Sequence, residues 1–282
     1  MNRIARSILA SATLLAAACS LAMAIASAAE PASKPAGSAP APSSAPVGRI
    51  DPAIDRILDR LERKGDTVDS IEAAIEFTKI DPALDETQEY KGILRFKQAK
   101  PNPRFFIRFD EHKQDKVVKK KKQWHVFDGQ WYIETRDDSN VITKRQMVRP
   151  GEALEVFKLG RGPFPLPFGQ KKADILNLFS VALAPPGPKD PPQTDHLACT
   201  PLPNTDLAKK YATVHLYIDR TLDLPMRVQT VEKEEEKEII ASFSSIRLNT
   251  GMVTSQLDMP NMPDKQIDTI PLEADAKDGA SR

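Results

Sequence analysis

The histidines of the chain are the residues best suited to acid–base or metal chemistry near neutral pH. They lie at positions His112, His125, His196 and His215. Their spacing forms none of the HxH, HxxxH or HExxH patterns that place two imidazoles on one metal ion. Two cysteines, Cys19 and Cys199, are too far apart in sequence for a CxxC zinc or redox site. The sequence therefore predicts no metal site and no cofactor, and we expect Cys199 to be a small buried hydrophobic residue.

Motifs for nucleophilic and phosphate chemistry are also missing. The sequence has no GxSxG turn to expose a nucleophilic serine, and no GxxxxGK[ST] loop to hold phosphate groups. Gly160-x-Gly162 is followed by Pro163 and not by a helix start, so it lacks the context of a phosphate-binding loop. A site assembled from residues far apart in sequence stays open. We predict a binding or carrier protein with no catalytic residues, and not an enzyme.

Lysines are concentrated in one stretch, which contains Lys113, Lys116 and the run Lys119 to Lys122. The chain as a whole is balanced, with 40 Lys and Arg against 39 Asp and Glu, so no global field attracts nucleic acid. We predict no nucleic-acid partner. The lysines could dock on anionic lipid headgroups or on an acidic protein surface. A solvated hairpin end is the favoured interpretation.

Residues 1–28 have the three parts of an export signal. Arginines precede an Ala- and Leu-rich apolar run, which ends at the small-residue triplet Ala26-Ser27-Ala28. This order is typical of a cleaved secretory signal peptide. We predict a periplasmic protein whose mature chain begins near Ala29. The alternatives are an uncleaved membrane anchor and lipid anchoring at Cys19, since the residues before this cysteine loosely resemble a lipobox.

Composition divides the rest of the chain into three parts. Residues 29–49 are rich in Pro, Ala and Ser and predict an extended linker, because they offer little apolar surface to bury. Residues 50–270 contain the long hydrophobic side chains of one domain. Residues 271–282 are charged and small, which predicts a disordered tail.

Hydrophobic residues of the domain mostly alternate with polar ones. This period of two begins after Glu89 and returns from Val214 onward, and it predicts β-strands. Asp128-Gly129, between two such runs, predicts a tight hairpin turn. The resulting fold class is α+β, with one long antiparallel sheet of about ten strands.

Two segments show helical spacing. Asp51-Pro52 can begin a helix that ends at Gly65, because Asp caps free N–H groups and Pro fits the first turn. Residues 69–77 fit a helix or a first strand. Residues 173–184 predict a short amphipathic helix that is stopped by Pro185.

The order of several short motifs resembles the LolA family of periplasmic lipoprotein carriers, together with its relatives LolB and RseB. Gly92 begins a strand, Lys100-Pro101-Asn102 precedes an aromatic strand, and Asp128-Gly129 precedes Trp131. The segment from Gly162 to Phe168, with the helix after it, is similar to the lid of that family. The resemblance covers roughly residues 50–263. Lys100 stands where the best-known carriers have Arg, and a lysine lacks the planar multidentate contacts of a guanidinium.

The resemblance implies a half-open antiparallel β-barrel whose apolar concave face is covered by a helical lid. It implies a monomeric carrier of lipoprotein acyl chains or other lipids, with an inner-membrane extraction complex and an outer-membrane acceptor as partners. The alternative is an RseB-like sensor or regulatory module with the same fold. The candidates for lipid binding are Leu94, Phe96, Phe105, Ile107, Trp124, Val126, Trp131 and Ile133. Strand alternation alone does not decide which face is concave, and packing in an ordinary core is the alternative for each of them. The candidates for the lid are Lys100, Phe164, Leu166, Phe168, Ile175 and Phe179.

Overall fold

The computed structural model describes residues 50–153, 159 and 164–272. The predicted signal peptide with Cys19, the predicted linker and most of the predicted tail lie outside these residues, as do Gly162 and Pro163 at the start of the predicted lid. Within the described part, no helix has the length and apolar character needed to cross a membrane.

Helix α1 (Pro52–Thr67) begins as predicted. The Asp51 carboxylate accepts a hydrogen bond of 2.7 Å from the backbone N–H of Ala53, and a proline occupies the first turn. The helix continues two residues beyond Gly65, whose carbonyl accepts the capping N–H of Val68. Its buried stripe is formed by Ile54, Ile57, Leu58 and Leu61.

Thirteen strands of the described residues form one sheet. They are β1 (Ser70–Asp81), β2 (Glu86–Lys97), β3 (Arg104–Gln114), β4 (Val117–Lys119), β5 (Gln123–Phe127), β6 (Trp131–Arg136), β7 (Val141–Gln146), β8 (Phe179–Leu183), β9 (Thr194–Pro201), β10 (Tyr211–Asp219), β11 (Pro225–Glu232), β12 (Glu238–Leu248) and β13 (Gln266–Ile270). The α+β class is confirmed. The strand count differs from the predicted ten, partly because short strands extend both ends of the sheet.

The strand order is β13-β7-β6-β5-β3-β2-β1-β12-β11-β10-β9-β8, with β4 paired to β3. Every pair is antiparallel except β13 with β7. The sheet is open, because β13 and β8 are its two ends and do not pair with each other. Gly92 lies at a bulge between β2 and β3, where an added Cβ would stand 1.9 Å from the carbonyl oxygen of Arg108.

The predicted helix over residues 173–184 is only half helical. Helix α2 (Lys172–Leu178) ends where β8 begins, and β8 pairs along its whole length with β9. The extended form is stabilised by hydrogen bonds to the backbone of β9, which the local pattern does not reveal. Residues 69–77, whose pattern fits either a helix or a strand, lie almost entirely in β1. A short helix, α3 (Asp206–Lys210), precedes β10.

The two predicted turns are formed. Asp128 accepts hydrogen bonds from the backbone N–H groups of Gln130 and Trp131, at 2.9 and 2.7 Å, and Gly129 has a φ of 101°. The lysine-rich stretch is a hairpin between β3 and β4, and its lysines from Lys119 to Lys122 are exposed.

Side chains of the sheet alternate between two faces. The inner face is the one covered by α1, α2 and the segment of residues 164–168, which we call the covering segment. It is continuous across the sheet, since inner-face residues lie in register on β10, β11, β12 and β1, namely Leu216, Val228, Ala241 and Phe77. The outer face packs against Met252, Leu257, Met259 and Met262, which follow β12.

Candidate functional site

Half of the predicted lipid-binding residues lie together on the inner face. Leu94 stands opposite Ile107, and Phe96 stands opposite Phe105, across β2 and β3. All four side chains are buried in one apolar cluster, which also includes the covering segment. Strand pairing therefore builds a continuous apolar surface from residues that the alternation pattern singled out.

The other candidates lie on the outer face. Trp124 and Val126 pack with Phe106, Met252 and Leu257, and Ile133 lies opposite Val126. Trp131 shares the face of Ile133 by its position in β6. The eight candidates thus do not form one surface, because Ile107 faces His125 and not Trp124 across β3 and β5. The inner-face positions of β5 and β6 are His125, Phe127, Tyr132 and Glu134.

The covering segment packs directly on the inner face. The Phe164 ring lies 5.2 Å from that of Phe77 and 4.9 Å from that of His125, measured between centroids. The Phe168 ring lies 5.7 Å from Phe96 and 5.0 Å from Phe243. Phe164, Leu166 and Phe168 are all buried, so these predicted lid residues occupy the apolar surface themselves.

Ile175 and Phe179 lie in a second inner-face cluster, with α1 and strands β9 to β11. Ion pairs connect α2 to α1, because the Lys172 ammonium contacts Asp55 at 2.6 Å and Asp59 at 2.8 Å. These contacts lower the pKa of Asp59 through the hydrogen bond from Lys172. The apolar lid candidates therefore divide between the covering segment and this second inner-face cluster.

Lys100 is exposed and makes no hydrogen bond or ion pair with any other described residue. Its role in holding a lid stays a prediction. Nearby polar groups do hold loops in this region. The Asn102 amide donates to the carbonyls of Gly129 and Glu152, at 2.8 and 2.9 Å, and the buried Gln170 accepts from the backbone of Leu159 at 3.0 Å.

A cavity of about 300 Å³ lies on the inner face beside Phe164. Its apolar lining is Phe77, Tyr90, Phe109, Phe164 and Ile239, and its polar lining is Lys79, Gln123, His125, Tyr132, Glu134 and Arg145. The first set forms a surface for hydrocarbon, and the second forms a rim that can hydrogen-bond. The volume is at the lower end of the range for ligand pockets, about 300–1,000 Å³.

Three of the rim side chains form a hydrogen-bonded chain. His125 Nδ1 lies 2.7 Å from the Tyr132 hydroxyl, which donates to Glu134 at 3.4 Å. The contact with His125 holds the pKa of Glu134 below its usual range, whereas burial raises the pKa of Tyr132. Glu134 is therefore a charged acceptor and Tyr132 a neutral donor at neutral pH. The spacing of these three residues in the sequence does not predict this chain of hydrogen bonds.

A second histidine contact lies on the opposite face. His196 Nε2 is 2.9 Å from His215 Nδ1, and His196 Nδ1 is 3.1 Å from Asp190. Burial lowers the pKa of His215. Antiparallel pairing of β9 and β10 makes this contact, which could have been found only by aligning the two strands. No group of three or more potential metal ligands occurs in the part of the chain that the structure describes.

Cys199 is fully buried on the inner face, and burial raises the pKa of its thiol to about 12. The expectation of a small buried hydrophobic residue is confirmed.

Comparisons with known proteins give similarity in structure only. No protein-family model matches the sequence, and no curated protein matches it. An uncharacterised conserved protein from Thermus thermophilus is 13% identical with a TM-score of 0.43, covering 77% of this chain and 99% of its own. A LolA superfamily protein from Nitrosomonas europaea is 10% identical with a TM-score of 0.33, covering 73% and 97%. MucB of Pseudomonas aeruginosa, in complex with MucA, is 13% identical with a TM-score of 0.38, covering 77% and 64%.

Proposed function

We propose that the protein is a periplasmic carrier that binds acyl chains of lipoproteins or related lipids on its inner face. The observation that carries this proposal is the covering segment: an apolar sheet face is covered in part by phenylalanines from a loop, and a cavity lies beside the first of them. In this proposal the open sheet acts as a half-barrel, and the protein takes part in no enzymatic step.

An acyl chain in water is strongly stabilised by binding to such an apolar surface. Each methylene group that leaves water stabilises a complex by about 0.8 kcal/mol, so a long acyl chain does not cross an aqueous compartment unprotected. The inner face offers aromatic and aliphatic side chains from several adjacent strands, Phe77, Leu94, Phe105 and Ile107 among them. Acyl chains that replace Phe164 would keep this apolar surface out of water.

The first phenylalanine of the covering segment is suited to displacement by cargo. After this segment, Lys171 contacts Glu62 and Asp66, and Lys172 contacts Asp55 and Asp59, so the charges of α1 hold the start of α2. The phenylalanines before this anchor are held mainly by apolar contacts, which an acyl chain can replace. We propose that cargo displaces Phe164 first, because its ring borders the cavity.

Lipid analysis and a transfer assay test the proposal. Mass spectrometry of the natively purified protein should find bound acyl lipids. The protein should also move a fluorescent lipopeptide from donor to acceptor vesicles faster than spontaneous exchange. Binding without transfer would favour a sensor of the RseB type. Absence of both bound lipid and lipopeptide binding, in folded protein, would contradict the proposal.

A further inference from the structure

Resting on the proposed function, we infer that the cavity beside Phe164 binds an anionic headgroup of an acyl lipid, with Lys79 and Arg145 as the recognising cations. The two side chains line the same cavity from different parts of the sheet, since Lys79 is on β1 and Arg145 is on β7. Because both side chains are cationic, they indicate an anionic ligand, which the apolar surface alone does not specify.

Lys79 is placed to present its charge at the edge of an apolar surface. Its ammonium lies 5.7 Å from the ring centroid of Phe77 and 5.8 Å from that of Tyr90. The methylene stem therefore runs beside aromatic rings while the charged end stays in solvent. Arg145 stands opposite Tyr132 in the pairing of β6 and β7, and it is also exposed.

Neither cation is neutralised by an ion pair. Within the described residues, no salt bridge involves Lys79 or Arg145. Among the described residues that line this cavity, Glu134 is the only carboxylate, and it contacts His125 and Tyr132 at 3.5 and 3.4 Å. The hydrogen bond with His125 lowers the pKa of Glu134 most, and the charge of Arg145 also helps to lower this pKa. Two cations and one carboxylate give these described lining residues a net positive charge.

Lys79 also borders a second cavity, whose lining includes the Lys237 ammonium and four carboxylates, Asp81, Glu86, Glu232 and Glu238. Asp81 contacts the Lys237 ammonium at 3.2 Å, and Glu86 accepts hydrogen bonds from the amides of Gln88 and Gln114. None of these carboxylates lies within ion-pair distance of Lys79, so an incoming anion meets Lys79 and Arg145 as cations without a direct ion-pair partner among the described residues. A phosphate or carboxylate headgroup matches an ammonium and a guanidinium, which form charge-assisted hydrogen bonds with such groups.

The aromatic floor distinguishes a lipid from a free anion. A headgroup at the rim places its first methylene groups against Phe77, Phe109 and Phe164, at the edge of the inner face. Inorganic phosphate makes none of these contacts. We therefore expect the acyl chain and the charged headgroup to contribute to binding together.

Three probes separate the contributions: dodecyl phosphate, dodecyl maltoside with the same chain and a neutral head, and inorganic phosphate. Calorimetric titration below the critical micelle concentrations should show that dodecyl phosphate binds about tenfold more tightly than the maltoside. Only the phosphate can form charge-assisted hydrogen bonds with the two cations at the rim. Lys79→Gln and Arg145→Gln should each remove most of this difference without changing maltoside binding. Lys79→Arg should retain it.

Lys144→Gln is the matched control. Lys144 is next to Arg145 in β7 but lies on the outer face, with its ammonium 4.7 Å from the centroid of the Trp131 ring. Removal of this charge should leave the binding of both amphiphiles unchanged. Circular dichroism and thermal unfolding of each variant verify that the exposed substitutions leave the fold intact.

The outcomes separate this inference from the proposed function. Equal binding of the two amphiphiles, unaffected by either variant, would overturn the headgroup site and leave the acyl-binding proposal standing. Inorganic phosphate that binds as tightly as dodecyl phosphate would overturn the lipid assignment. Failure of both amphiphiles to bind would overturn the inference together with the proposed function.

Discussion

Replacing Phe164 with alanine should lower the stability of the ligand-free protein and at the same time raise its affinity for acyl chains. The Phe164 ring is 7% exposed and contacts the rings of Phe77, Phe105, Phe109 and His125, with centroid distances from 4.9 to 6.2 Å. Truncation of a buried phenylalanine costs about 3–5 kcal/mol. Because a cavity already adjoins this ring, we expect the free energy of unfolding to fall by about 3 kcal/mol.

The gain in affinity follows from the same contacts. An acyl chain that displaces Phe164 must break these ring pairs, each worth about 0.5–1.5 kcal/mol beyond area burial. At the lower value their loss amounts to about 2 kcal/mol, which corresponds to roughly thirtyfold in affinity. The variant no longer incurs this cost, so its affinity for dodecyl maltoside should rise by about tenfold to thirtyfold.

Urea unfolding measures the first effect, and calorimetric titration measures the second. Phe168→Ala is the matched control, because Phe168 is 3% exposed, packs on Phe96 and Phe243, and does not line the cavity. It should lose similar stability without gaining affinity. If Phe164→Ala loses stability while its affinity stays equal or falls, Phe164 is an ordinary core residue and the argument for a displaceable cover is refuted.

Other positions give further tests. Gly92→Ala should lower the free energy of unfolding by about 3 kcal/mol in a urea titration, since its Cβ would meet the carbonyl oxygen of Arg108. Gly151→Ala meets no neighbouring atom, but the φ of 82° at this position disfavours a side chain, so it should cost about 1 kcal/mol. The folded state lowers the pKa of His215, so the unfolded state binds more protons and stability should fall as the pH drops below about 6.5. His215→Asn should reduce that fall in the urea midpoint, and an unchanged pH profile would contradict the assignment. Cys199 should resist a thiol reagent until the protein unfolds, and rapid labelling of native protein would disprove its burial.

The sequence was sufficient wherever the structure depends on neighbouring residues. Helix α1 was predicted because its cap, proline and apolar stripe all lie within one segment. The turn at Asp128-Gly129 was predicted for the same reason, since the aspartate caps its own loop. Alternation likewise located most strands.

Features that depend on register or on distant strands were not predictable. Trp124 lies on the outer face because Ile107 pairs with His125, and a shift of one residue would have placed it inside. The half of the predicted helix that became β8 is determined by pairing with β9. The contact between His196 and His215 depends on the pairing of β9 with β10 in the same way.

The pairing of β1 with β12 also constrains how the chain folds. Ile71 stands opposite Leu248, so the centre of the sheet joins residues separated by almost the whole domain. Such non-local pairing slows folding, because a long loop must close before the contact stabilises anything. During synthesis, β1 has no partner on that side until the last long strand has left the ribosome. We therefore expect the nascent chain to expose an unpaired strand edge, and chains truncated before β12 to aggregate.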